Sequence, residues 1–415
     1  MSLREGLFWS LLAVFAAAVV RRPAAALAVF VAMFGLEQWG FVSSKWLWAH
    51  PWFTNVLALV LVSIAWVRAL QLGSPAYGRP GTVRWLALAL ILYALVSLAW
   101  APPSSEALGA WRREGLYFFF ALFILPNVIR DIDELPLAVA WTWLSGSVVI
   151  LLLLILAKWE PRALVGAGGR DLVRLPLALA ELGGYVAISS WFLGARGRAW
   201  QLVRWIGMAL GVAIIVKSGS RGQLVFALSA VVIMELLQGK ARSLRSVLGS
   251  AIALVVLGFM TFEVYEAFVG ERTRWEVRDV VADARGRVEM VRVMIERWWA
   301  SPVSVVFGLG NSASWSVLGV YPHVVPAEVL VEEGLVGSFL FGGLTVAAMK
   351  AWRRAKKCLG AGERVVHESL LVLGAWGIFS ALLSTKQGSL ATSPMLLLFP
   401  VLVERIGNLC AQRRG

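Results

Sequence analysis

Proton transfer near neutral pH calls for a group such as imidazole, and phosphate binding calls for fixed positive charge. Between residues 270 and 323 the sequence carries seven arginines, six acids and one histidine, His323. Tyr321-Pro322-His323 stands at the mouth of an apolar segment, with Glu328, Glu332 and Glu333 just behind it. An imidazole there suits a general base, or a group that orients a hydroxyl. At helical spacing, Gly286–Trp299 gathers Val291, Met294, Ile295 and Trp298 on one face. Arg287 falls on that apolar side, whereas Arg285, Glu289, Arg292 and Glu296 lie opposite. Arg285–Glu289 and Arg292–Glu296 have ion-pair spacing. An inward guanidinium needs a partner. Either the acids Glu271, Glu276, Asp279 and Asp283 supply it, or an anionic ligand does. The Gly308-Leu-Gly310-Asn311 turn lacks the strand and helix of a dinucleotide fingerprint. Arg285, Asn311 and Glu333 complete this cluster as candidate substrate contacts.

Two further stretches suit an anion. Lys217–Gly222 reads KSGSRG between apolar segments: small residues break the chain, and a helix start leaves free backbone N–H groups beside Lys217 and Arg221. An ordinary inter-helix turn with snorkelling bases is the plainer alternative. Lys158–Arg174 brings Arg170 and Arg174 around Asp171 after a glycine-rich turn, as phosphate donors or as interfacial charges. His50, among the tryptophans of SSKWLWAHPW, reads first as part of an aromatic belt. Glu181, inside an apolar helix, needs a cavity or a partner.

The elements that must position these residues are membrane helices. Of 415 residues, 59% are hydrophobic and 15% charged, against about 25% charged in a soluble chain. Apolar segments fall near 7–20, 24–41, 53–71, 85–101, 116–129, 136–157, 175–194, 200–216, 223–237, 246–268, 324–349, 368–384 and 389–404. Most approach the length that crosses a bilayer. The fold class is therefore all-α: a polytopic integral membrane protein of about 12 transmembrane helices. It forms a single membrane domain over residues 1–415, with one large extracytoplasmic helical loop at 269–325. The net charge of +14 collects in the segments between spans, as in cytoplasmic loops, so it points to a membrane and away from nucleic acid. That orientation puts 196–204, 240–245, 350–366 and the C-terminus inside, and 217–222 and 269–323 outside. The 101–114 loop reads as a short surface helix. The first apolar segment is short, which leaves the side of the N-terminus open, and no cleavage site precedes Arg21-Arg22. Cys358 and Cys410 suggest neither a disulfide framework nor a metal motif.

Three stretches carry a resemblance: SGSRG at 218–222, ARGRVEMVRVMIERWWASPVSVVFGLGN at 284–311 and PHVVPAEVLVEEGLVG at 322–337. Together and in this order they resemble the O-antigen ligase and polymerase superfamily of bacterial membrane glycosyltransferases. The resemblance implies transfer of a glycan from an undecaprenyl-diphosphate carrier to an acceptor hydroxyl at the periplasmic face of the inner membrane. The acceptor would be lipid A-core for a ligase, or a second lipid-linked glycan for a polymerase. It also implies that Arg221 and Arg287 hold the diphosphate and that His323 is the family's loop histidine. Val324 stands where the family often has Asn, and Gly169-Arg170-Asp171 replaces an Asn-Pro-Asn-like segment.

Residues and resemblance agree on mechanism. A glycosyl diphosphate already has a good leaving group, so the enzyme must activate the hydroxyl and neutralise the departing charge. Arginines can do what a divalent metal does elsewhere, and the expectation is inverting transfer without metal or cofactor. The rival of another class is a transporter of an anionic lipid-linked sugar, but the paired broken helices of many transporters are not evident as an internal repeat.

Overall fold

In the computed structural model the described residues are 2–74, 80–102, 105–160, 163–167, 169, 172–174, 177–194, 197–238, 277–359 and 363–414. For 105–107, 172–174 and 277–284 the backbone alone is described. Arg170, Asp171, Glu271, Glu276 and the apolar segment at 246–268 lie outside the described residues, as do the side chains of Arg174, Asp279 and Asp283.

The chain is an all-α polytopic membrane protein. Eight described helices are long and apolar enough to cross a membrane: Leu3–Arg21, Pro23–Ser43, Trp52–Gln71, Ile132–Leu156, Arg198–Lys217, Gly334–Cys358, Arg364–Leu383 and Pro394–Arg414. Thr82–Ser97 and Leu177–Phe192 are shorter apolar helices. The first segment spans 19 residues, beginning at Leu3 where Ser2 accepts the Glu5 N–H, so it is longer than its apolar run suggested. The surfaces confirm the solvent. On Trp52–Gln71, Val56, Val60, Ile64 and Val67 form an exposed apolar stripe, while Ala58, Leu61, Val62, Ala65 and Ala69 are buried. A helix in water would put polar residues on that outer stripe.

The chain divides into two compact units. The first comprises Met1–Ala76, Asn127–Arg272 and Ala361–Phe379. Its centre is Pro23–Ser43, buried along most of its length, packed on Ile132–Leu156 and Trp52–Gln71. Leu177–Phe192 and Arg198–Lys217 approach closely where Gly183 faces Gly211: a Cβ on Gly183 would stand 2.7 Å from the Gly211 carbonyl oxygen. Small residues let apolar helices come together in this way. A three-stranded antiparallel sheet, absent from the sequence-based expectation, joins β1 (Trp159–Glu160), β2 (Ala163–Val165) and β3 (Leu172–Arg174).

The second unit comprises Tyr77–Pro126, Thr273–Gly360 and Ser380–Gly415. Here Glu404, deep in Pro394–Arg414, accepts the Val83 N–H at 2.9 Å and the Arg84 N–H at 3.2 Å, capping Thr82–Ser97 from far along the chain. Cys358 and Cys410, from which the sequence suggested no disulfide framework, form a disulfide, Cα to Cα 6.0 Å. Helices Gly334–Cys358 and Pro394–Arg414 lie side by side, which brings together two thiols 52 residues apart. The expected surface helix at 101–114 is instead the start of Ser105–Phe119, which runs on through a π turn, Phe120–Ile124, to Leu125–Val128. The apolar run at 324–349 is two helices, Val325–Glu332 and Gly334–Cys358, broken at Glu333 and Gly334.

Candidate functional site

Lys217 and Arg221 belong to the first unit, and Arg285, Arg287, Asn311, His323 and Glu333 to the second. In the first unit the KSGSRG break forms as its composition demands: Lys217 ends one helix, Gly219 takes φ +70°, and Arg221 opens the next helix. Ser220, at the cap, is buried. The Lys217 ammonium lies 5.9 Å from the centre of the Trp159 ring, a cation–π contact with β1. Lys217 and Arg204 thus stand toward opposite ends of one 20-residue helix, about 30 Å long. Elsewhere in this unit His50 stacks on Trp46 at 4.6 Å and its Nδ1 bonds the Trp46 carbonyl, which fits the aromatic-belt reading. Glu181 finds its partner in the Tyr185 hydroxyl, which donates at 2.7 Å.

In the second unit the helix expected over 286–299 extends over Val277–Trp298. Met294 and Trp298 are buried against Val331, with Val305, Leu309 and Leu318 around them. Arg287 is half-buried on that side, as its spacing required, and Arg285 is exposed. The expected Arg285–Glu289 pair does not form: Glu289 instead lies 3.7 Å from Arg292, which also bonds Glu296 at 2.9 Å.

After this helix the chain passes through Gly308 and Gly310, both at positive φ, and lies along the end of Val325–Glu332. The Leu309 N–H donates to the Val331 carbonyl and the Gly310 N–H to the Glu332 carbonyl, each at 2.9 Å. A Cβ on Gly308 would sit 2.0 Å from the Glu332 carbonyl oxygen, so no side chain fits.

Three buried acids then pin the loops together. Glu332 accepts the backbone N–H groups of Ser312 at 2.6 Å and Ser314 at 2.9 Å. Glu328 accepts the Leu390 N–H at 3.0 Å. Glu333 accepts from the Asn311 amide at 2.8 Å, and Asn311 Oδ1 in turn accepts from the Trp111 indole at 2.8 Å. Asn311, only 1% exposed, also donates its backbone N–H to Ser97 Oγ. All three acids precede the span that starts at Gly334. Burial raises each of them above the usual carboxylate range. The hydrogen bonds to Ser312, Ser314, Asn311 and Leu390 pull the other way, and Glu333 ends at about 7. Glu328 Oε2 and Glu333 Oε2 meet no hydrogen-bond donor or acceptor among the described residues, which suits a neutral acid better than a buried anion.

His323 sits on this scaffold. Its φ of +57° lies in the left-handed region, uncommon for a side chain with a Cβ. The next turn is fixed by the Val325 N–H donating to the Ser384 carbonyl at 2.7 Å. The imidazole is half-buried, and burial followed by the field of Arg287 holds its pKa below the ordinary value. It is therefore neutral at physiological pH, with a ring nitrogen able to accept a proton. The sequence singled out His323, Arg287, Asn311 and Glu333, all of which fall in the second unit. Trp111 and Ser97 gave no signal, because their links to Asn311 span 200 and 214 residues.

No protein-family model matches the chain, and no curated protein does. Among solved structures it is similar to a chain of a peptidoglycan synthase complex that coordinates polymerization and crosslinking. The identity is 17% over 82% of this chain and 98% of that one, with a TM-score of 0.47. A likeness that distant carries no functional argument.

Proposed function

We propose that the chain is a membrane glycosyltransferase of the O-antigen ligase type. In this reading it transfers a glycan from an undecaprenyl-diphosphate carrier to a sugar hydroxyl of lipid A-core at the periplasmic face of the inner membrane. The observation that carries the reading is His323: a half-buried neutral imidazole on a left-handed backbone, lying in the field of Arg287. His323 accepts the proton of the acceptor hydroxyl as its oxygen attacks the anomeric carbon. The bond from that carbon to the diphosphate oxygen breaks on the opposite face, and the lipid diphosphate leaves with the electron pair. The anomeric centre is inverted. Arg287 offers a planar fork of donors to the departing charge. Asn311 and Glu333, buried and bonded to one another, position the loop that carries the site. Lys217 and Arg221 are the first unit's own candidate anion ligands.

The test is transfer by purified protein from a lipid-diphosphate glycan. Lipid A-core is offered as acceptor in one reaction and a second lipid-linked repeat in another. Product on the core supports the ligase reading, and product only on the repeat assigns the chain as a polymerase. His323→Ala is expected to lower the rate by about 10²- to 10⁴-fold, the usual worth of a general base. Undiminished transfer by a folded His323→Ala protein would sink the mechanism. Loss of activity in chelator would sink its metal-free form.

A further inference from the structure

The first unit holds a groove on the helix Arg198–Lys217, toward the end away from Lys217. It has a volume of about 250 Å³ and is lined by Ser190, Trp191, Gln201, Arg204, Trp205 and Met208. That is several times the ~30 Å³ share of a water molecule. Arg204 is built into its wall: Nε donates to the Ser190 carbonyl at 2.9 Å and Nη2 to the Trp191 carbonyl at 2.7 Å. These are carbonyls from the last turn of Leu177–Phe192, so the guanidinium is held by a helix C-terminus. Nη1 donates to no described residue. Glu368, the carboxylate whose field reaches Arg204, is engaged by the Gly194 N–H at 2.9 Å and Arg364 Nε at 2.8 Å. Glu235 is engaged by the Trp191 indole at 3.0 Å, which leaves that ring as an apolar wall. The groove thus retains a pre-oriented cation with donor capacity.

Its surroundings identify the solvent it opens to. Arg204 lies six residues into the span Arg198–Lys217, about 9 Å along the axis and so near one end of the span. Leu202, Val203, Trp205 and Ile206 on the same helix are exposed, as a lipid-facing surface must be. Trp143 and Trp200, in contact at 5.3 Å, add aromatic rings at this level. We propose that this groove binds one anionic phospholipid, its phosphate on Arg204 and Gln201 and an acyl chain along Trp205 and Ile206.

Native mass spectrometry of the detergent-solubilised full chain, titrated with phosphatidylglycerol or phosphatidylcholine, tests this. The expected result is one retained phosphatidylglycerol and no comparable phosphatidylcholine adduct. Arg204→Gln and Trp205→Ala should each weaken retention by about tenfold, the scale of one charge-assisted contact or one buried ring. Because Trp205 is exposed, Trp205→Ala keeps the test decisive if loss of the Arg204 anchors unfolds the protein. Equal retention of both lipids, or unchanged retention in Trp205→Ala, would overturn the proposal. So would displacement by millimolar inorganic phosphate, which would mark a soluble-anion site.

Discussion

Two influences on the His323 imidazole act in the same direction. Burial and the positive field of Arg287 both disfavour imidazolium, so protonation favours the unfolded chain, and His323 costs stability as pH falls through the ordinary histidine range. Transfer should therefore persist to lower pH than an unperturbed imidazole would allow. Arg287→Ala removes one depressing field, so the acid limb of its pH–rate profile should move upward, by about one unit or less. An unchanged limb would separate Arg287 from His323. The buried acids have the opposite sign. Glu333 holds its proton to about 7 when folded and releases it near the ordinary carboxylate value of about 4.3 when unfolded. The folded chain then binds more protons between these values, and stability falls as pH rises. Melting temperature should decline from about pH 5 to pH 8, with a shallower decline in Glu333→Gln.

At the scale of elements, the site depends on a loop lying flat against the end of a short helix. Gly308 makes this possible, with φ of +81° and the Glu332 carbonyl where its side chain would be. Gly308→Ala should cost at least about 1–3 kcal/mol in backbone strain alone. The loss would appear as a lower melting temperature together with lost transfer. The amphipathic helix Val277–Trp298 anchors the other side of the loop through Met294 and Trp298. Its exposed ion pairs, Arg292 with Glu289 and Glu296, add little to stability by comparison. At the far end of Gly334–Cys358, the Cys358–Cys410 disulfide ties this span to Pro394–Arg414. Thiol alkylation of the purified protein should give no mass shift until reductant is added. Cys358→Ser should lower stability by about 2–4 kcal/mol.

For the whole molecule, the sequence by itself determined the solvent and the helical class. Long uncharged runs must satisfy their backbone internally in lipid, which leaves helices. Arg287's spacing from Val291 and Met294 put it on the inner side of its helix, and a local period survives folding unchanged. What only the tertiary structure decided were relations across the chain. It decided the Asn311–Trp111 link, the capping of Thr82–Ser97 by Glu404, the disulfide and the break at Gly334. Nor did hydropathy foresee the buried polar cluster around Asn311, Glu332 and Glu333. The physical reason is range. Periodicity and composition report on neighbours a few residues apart. The acids Glu328, Glu332 and Glu333 acquire their partners, and with them their protonation, only when helices distant in sequence close around them.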